Sequence, residues 1–159
     1  MNNVRIIGGD CEFFSFPGGE RHVRIKSPLP LATVPKLKID VEAHLTCSED
    51  ILDLLLLVNA IKHSGSIVGN LYVPYMPYAR QDRINVHGEP LSIQVMADLI
   101  NSVGADQVVI NDPHSDVTPV LIENVRVVAQ HNLIPINYEK RFFILECFLR
   151  DFALFNSNF

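Results

Sequence analysis

Strand-like and helix-like patterns alternate through the middle of this chain, and that alternation constrains its fold more than any other feature. Lys38 to Leu45 places an apolar residue at every second position, as a strand with one buried face does. Ser48 follows as an N-cap, with Glu49 and Asp50 in a first turn where the helix dipole favours anions. Ile51, Leu54, Leu55, Val58 and Ile61 then fall at helical spacing, and His63-Ser64-Gly65 ends the run. Asn70 to Val73 is a short apolar strand cut off by Pro74. Pro90 suits the first turn of a second helix, in which Ile93, Met96, Ala97 and Ile100 share one face and which Gly104 closes. Gln107 to Asn111 is the continuous apolar strand expected where both faces are buried. A last strand, Val125 to Ala129, follows a segment containing Pro119.

Strand, helix, strand, helix, strand predicts an α/β fold, a parallel sheet with helices on both faces. In such sheets ligands sit beyond the carboxyl ends of the strands. Two loops at those ends carry chemistry, Pro74 to Glu89 and Asp112 to Asp116.

Length and composition exclude several alternatives. At 159 residues the chain has room for one domain with a real core, and 48% hydrophobic against 19% charged residues excludes a disordered chain. A formal charge of −5 argues against a protein that clamps nucleic-acid backbone. Cys11, Cys47 and Cys147 form no CxxC pair and read as buried thiols of a reducing compartment. With no secretory signal pattern and no bilayer-length apolar run, the sequence reads as a cytoplasmic domain that does not enter a membrane.

Within the first loop, Tyr78-Ala79-Arg80-Gln81-Asp82-Arg83 offers two guanidiniums and an amide, groups suited to phosphate oxygens and a purine edge. Taken alone, such a stretch is an ordinary charged loop. Asp112-Pro113-His114-Ser115-Asp116 can hold Mg²⁺ through water or hydrogen-bond a phosphate, although Asp-Pro and Ser-Asp are also common turn formers. Phe16-Pro17-Gly18-Gly19-Glu20 reads as a tight turn leading into an alternating strand, Arg21 to Ile25. No Walker A, GxGxxG or GxSxG pattern occurs, so P-loop, dinucleotide-binding and α/β-hydrolase chemistry find no support.

In order and spacing, these three loops resemble ribose-phosphate pyrophosphokinase, the phosphoribosyl pyrophosphate (PRPP) synthetase family. YARQDR, here Tyr78 to Arg83, is that family's signature, and GEPLSIQVMADLINSVGADQVVINDPHSD is similar to its stretch through the histidine motif. The variants FPGGE and DPHSDV look more like a compact, phage-type branch. The resemblance implies a phosphoribosyltransferase-like (type I) domain over 1–138, followed by a tail, 139–159, rich in phenylalanine. It also implies diphosphoryl transfer from ATP to ribose 5-phosphate with Mg²⁺, in a homo-oligomer of nucleotide biosynthesis.

Carried over by position, Phe16 and Glu20 match residues that contact adenine, often across a subunit boundary. Arg80 and Gln81 match the mobile ATP loop, and His114 matches the histidine near Mg²⁺ and the ATP phosphates. No residue is assigned a catalytic role.

The departures are specific. Gly18 stands where the family has Asp, and Ile84 and Gly88 stand where basic residues are common. The family's PDxGG segment, Lys-x-Arg loop and DDxxxTGGT ribose-phosphate loop do not occur in these 159 residues. The expectation is therefore the ATP-side half of a synthetase, with ribose 5-phosphate held only if another domain or chain supplies its site. The alternative is a non-catalytic regulatory or assembly subunit, or a truncated remnant. For the tail, a docked apolar helix and a segment covering a surface meant for another domain or subunit both remain open.

Overall fold

A computed structural model of the protein describes residues 3–26, 37–111 and 113–129. Contacts divide the chain into Met1–Val127 and Val128–Phe159, and the architecture below is that of the first unit. The expected boundary at residue 138 and the 139–159 tail, with Cys147, lie outside the described residues, as does Asp112.

The first unit is built on a five-stranded sheet. Its strands are β1 (Val4–Ile6), β4 (Lys38–Ala43), β5 (Ile67–Val73), β6 (Gln107–Asn111) and β7 (Val125–Val128), in the order β1-β4-β5-β6-β7. β4, β5 and β6 are parallel, whereas β1 pairs antiparallel with β4. Helices α1 (Ser48–His63) and α2 (Ser92–Ser102) make the crossovers between parallel neighbours, as the alternating pattern predicts. A short α3 (Val117–Leu121) leads into β7. β6 is the strand expected from its unbroken apolar run, with Val108, Val109 and Ile110 all buried.

A separate antiparallel hairpin, β2 (Cys11–Ser15) and β3 (Arg21–Ile25), packs on α1. Helix α1 therefore meets the sheet on one side and the hairpin on another, which accounts for four consecutive leucines, Leu54 to Leu57, in one helix. Leu54, Leu57, Val58 and Ile61 are buried, and Leu55 and Leu56 are partly so. α2 buries a single face, Ile93, Met96, Ala97 and Ile100, as its spacing requires.

Several local expectations are corrected. The N-cap of α1 is Cys47, not Ser48, because the Asp50 carboxylate reaches back one residue further, to the Cys47 N–H at 3.0 Å and the Thr46 N–H at 2.8 Å. Pro90 precedes α2 instead of starting it; Leu91 is the N-cap. β4 stops at Ala43, although Leu45 is still buried beyond it, and β5 begins three residues earlier than expected, at Ile67. The cysteines do not read as a buried set: Cys11 is half-buried and Cys47 is exposed at its helix end.

β1 and β2 were not legible in the sequence; β1 is three residues long, too short for periodicity to register. Between β4 and β5 the register slips, so that Asp40 faces both Gly69 and Asn70. The Asp40 carboxylate accepts from the Asn70 backbone N–H at 2.8 Å and from its side-chain amide at 3.1 Å, supplying a partner for a backbone group at the irregularity.

Candidate nucleotide site

Parallel pairing decides where the loops gather. Val73 is in register with Ile110, so β5 and β6 end side by side and the segments after them leave from the same edge of the sheet. Val41 is in register with Leu71, which brings the end of β4 and the start of α1 to that edge as well. The two loops expected to carry chemistry are thus neighbours because of strand register, not sequence distance.

The loop after β5 is anchored by two apolar side chains, Met76 and Ala79, both nearly inaccessible. Tyr78 adopts a positive φ of 60°, a conformation most side chains avoid, and its carbonyl accepts from the Gln81 N–H at 2.9 Å. The Gln81 carbonyl in turn accepts from the Ile93 N–H at the start of α2, a long bond of 3.4 Å. This bracing leaves Arg80, Gln81 and Arg83 exposed at the edge. Asp82 behaves differently, its side chain retaining only 12% of its accessible surface.

In the loop after β6, His114 and Asp116 are exposed and Ser115 is half-buried. The Ser115 hydroxyl oxygen is buried and has no hydrogen-bond partner among the described residues. The Asp82 carboxyl is held below its usual pKa, chiefly by the Ser115 hydroxyl. Burial opposes the shift, and Arg83, 3.4 Å away, adds to it.

Phe16 and Glu20 stand elsewhere, on the turn of the β2–β3 hairpin. The Gly19 N–H donates to the Phe16 carbonyl at 2.8 Å, and Gly19 takes a positive φ of 92°, a conformation open to glycine without steric cost. Phe16 is 48% exposed and belongs to a ring cluster with Phe14 and His22, at centroid separations of 5.6 and 5.2 Å. The departure at Gly18 has a local counterpart, since a Cβ there would stand 2.6 Å from the Glu20 carboxylate. Glycine leaves room for that side chain to fold back over the turn.

A groove of about 530 Å³ opens at the carboxyl edge between the β4–α1 connection and the loop after β5. Thr46, Cys47, Ser48, Tyr75 and Tyr78 line it, and the sequence pattern assigned a binding role to none of these five side chains individually. The available signal was the pair of tyrosines flanking Pro77 directly after a buried strand. Among the described residues no group of three or more metal-ligating side chains is assembled, and no helix is long and apolar enough to cross a membrane. His114 and Asp116 are exposed on the loop after β6, an imidazole and a carboxylate that could meet a hydrated Mg²⁺ through its water ligands.

Comparison with known proteins agrees with the signature. Residues 2–104 match the model of the N-terminal domain of ribose phosphate pyrophosphokinase. The ribose-phosphate pyrophosphokinase of Fusobacterium nucleatum is 31% identical over 108 residues, 68% of this chain and 33% of that protein. That of Thermotoga maritima is 31% identical over 115 residues, 72% and 36% of the two chains. The crystal structure of phosphoribosylpyrophosphate synthetase from Mycobacterium smegmatis superposes with a TM-score of 0.66 at 26% identity, covering 79% of this chain and 41% of that one. The chain thus spans about a third of the length of these curated relatives. Its mostly parallel sheet with helices is the phosphoribosyltransferase-like fold the resemblance implied. By its matched residues and its fold, the chain belongs to the ribose-phosphate pyrophosphokinase N-terminal domain family.

Proposed function

We propose that this chain binds Mg²⁺-ATP at the carboxyl edge of its sheet, as the ATP-side portion of a cytoplasmic ribose-phosphate diphosphokinase. The observation that supports the reading is the Val73–Ile110 register, by which the segments bearing Arg80–Gln81 and His114 leave the sheet at the same edge. Arg80 would neutralise phosphate oxygens, Gln81 would hydrogen-bond the nucleotide, and His114 with Asp116 would face the metal-phosphate group. Mg²⁺ would come with the nucleotide, drawing charge off the migrating phosphoryl oxygens. Phe16 and Glu20 would contact adenine from a hairpin turn, an arrangement that fits a homo-oligomer in which one copy's turn reaches its neighbour's site.

Phosphoryl transfer depends on holding the acceptor hydroxyl in line, and a sugar phosphate is held most readily by backbone amides of a glycine-rich loop at a helix N-terminus. The residues opening α1 and α2, Cys47-Ser48 and Leu91-Ser92, are not such a loop. Ribose 5-phosphate would accordingly be positioned by another domain or chain. Because neither helix start offers such a loop, a second reading is a nucleotide-binding regulatory subunit without turnover. Titration of the chain with ATP and Mg²⁺, followed by an AMP-release assay with ribose 5-phosphate, separates these readings. Binding with negligible AMP formation is expected. No ATP binding would overturn the proposal, and turnover on the order of 1 s⁻¹ would show that the chain positions ribose 5-phosphate by itself.

A further inference from the structure

We infer that His22 is a positioning residue: its ring closes a three-ring cluster that seats Phe16, and so sets the aromatic surface that the hairpin turn offers to a purine. The purine part of this rests on the nucleotide-binding reading above. Phe16 lies one residue beyond the last cross-strand pair, Ser15 with Arg21. Its backbone is pinned on both sides, the N–H donating to the Glu20 carbonyl at 2.9 Å and the carbonyl accepting from the Gly19 N–H at 2.8 Å. The side chain has no such restraint and is 48% exposed, so neighbouring rings decide where it stands. Two rings reach it: Phe14 edge-on at 5.6 Å and 78°, and His22 tilted at 5.2 Å and 43°.

Strand geometry brings these rings together. Side chains alternate across a strand, and Arg21 and Val23 turn inward, one bonded to Asp53 of α1 and the other buried in the core. His22 therefore faces outward, in register with Phe14 and 5.1 Å from it between ring centroids. Beyond Phe14, the Arg24 guanidinium stands 5.6 Å from that ring's centroid, a cation–π contact at the far end of the row. Phe14 and Phe16 both lie on the β2 side of the turn, so His22 is the ring that ties the cluster to β3. A ring already held in place loses less freedom when a flat base stacks on it. The benefit should appear in affinity for the base and not in affinity for phosphate.

His22→Ala, His22→Phe and Phe14→Leu test this in the full chain. The readouts are the NMR ring signals of Phe16 without ligand, amide hydrogen exchange over β2 and β3, and affinity for Mg²⁺-ATP against Mg²⁺-tripolyphosphate, which lacks the base. His22→Ala is expected to move the Phe16 signals toward those of an unstacked phenylalanine. It should also weaken ATP binding about 2–10-fold, the scale of one aromatic pair, and leave tripolyphosphate binding unchanged. His22→Phe restores a ring and should recover both. Phe14→Leu keeps an apolar side chain in β2 and should move the Phe16 signals in the same direction, which decides the matter if His22→Ala speeds exchange across the whole hairpin. Unmoved Phe16 signals in these two variants would overturn the seat, as would failure of His22→Phe to restore them. Equal weakening of ATP and tripolyphosphate, or unaltered affinity in a chain that binds ATP, would overturn the positioning role. The ring signals need no ligand: the same shifts in a chain that fails to bind ATP would uphold the seat and reject only the nucleotide reading.

Discussion

Arg21 and Asp53 join the hairpin to helix α1 through two parallel bonds, Nε to Oδ1 at 2.9 Å and Nη2 to Oδ2. The carboxylate keeps only 10% of its surface, and the hydrogen bond to it raises the Arg21 pKa despite partial burial. A fork-to-carboxylate contact fixes direction as well as distance, so the pair orients β3 and, through it, the turn bearing Phe16 and Glu20. Truncating Arg21 to Ala would strand a largely buried carboxylate and is expected to destabilise the fold by about 1–3 kcal/mol. Arg21→Lys, which keeps the charge and loses the fork, should recover only part of this. Urea denaturation of both variants measures the difference.

Asp50 is expected to contribute to the acid limb of stability. Burial works against its ionisation, but bonds from the Thr46 hydroxyl and N–H, the Asn3 amide and the Cys47 N–H outweigh that and hold its pKa at about 2. A carboxylate depressed on folding contributes stability above its unfolded pKa, near 4, and loses it as pH falls toward the folded value. Asp50→Ala should therefore cost about 2 kcal/mol at pH 7 and much less near pH 2. Denaturation curves at both pH values give the comparison, and an equal loss at each would refute the assignment.

The irregularity between β4 and β5 depends on two positions together. A Cβ on Gly69 would stand 2.7 Å from the Asp40 carboxylate, the group that satisfies the Asn70 N–H. Gly69→Ala and Asp40→Ala should each destabilise by about 1–3 kcal/mol, one by crowding and the other by leaving a backbone donor without its partner. Because the crowded atom is the one removed in Asp40→Ala, the double variant is expected to lose clearly less than the sum. Thermal melts of the three variants provide the cycle.

Arg80 and His114 should separate binding from folding. Both are exposed, so alanine at either position is expected to shift Tm by no more than about 2 °C. Arg80→Ala should weaken Mg²⁺-ATP binding by about 1.5–3 kcal/mol through loss of a charge-assisted bond. His114→Ala should lower affinity with Mg²⁺ present more than with Mg²⁺ withheld. Calorimetric titration with and without the metal reports both; unfolding of His114→Ala would instead identify a structural histidine.

Much of this protein was determined by local pattern. Period-two and period-3.6 apolar spacing marked β4, α1, α2 and β6, since each must turn an apolar face or its whole length away from water, and burial follows residue by residue. Turn chemistry marked the hairpin tip, where Gly19 takes the positive φ that its sequence context anticipates. β1 carried no such signal because three residues cannot establish a period, and β2, Cys-Glu-Phe-Phe-Ser, breaks alternation with two adjacent phenylalanines. The helix starts were displaced by one or two residues because caps depend on which side chain reaches which N–H, as Asp50 reaches Cys47. Only tertiary structure decided the site. Asp82 and Ser115 are separated by a helix and a strand, and parallel pairing of β5 with β6 brings their loops to one edge. Strand neighbourhood and register are set by long-range backbone hydrogen bonding, a property of the assembled sheet that no local window of sequence contains.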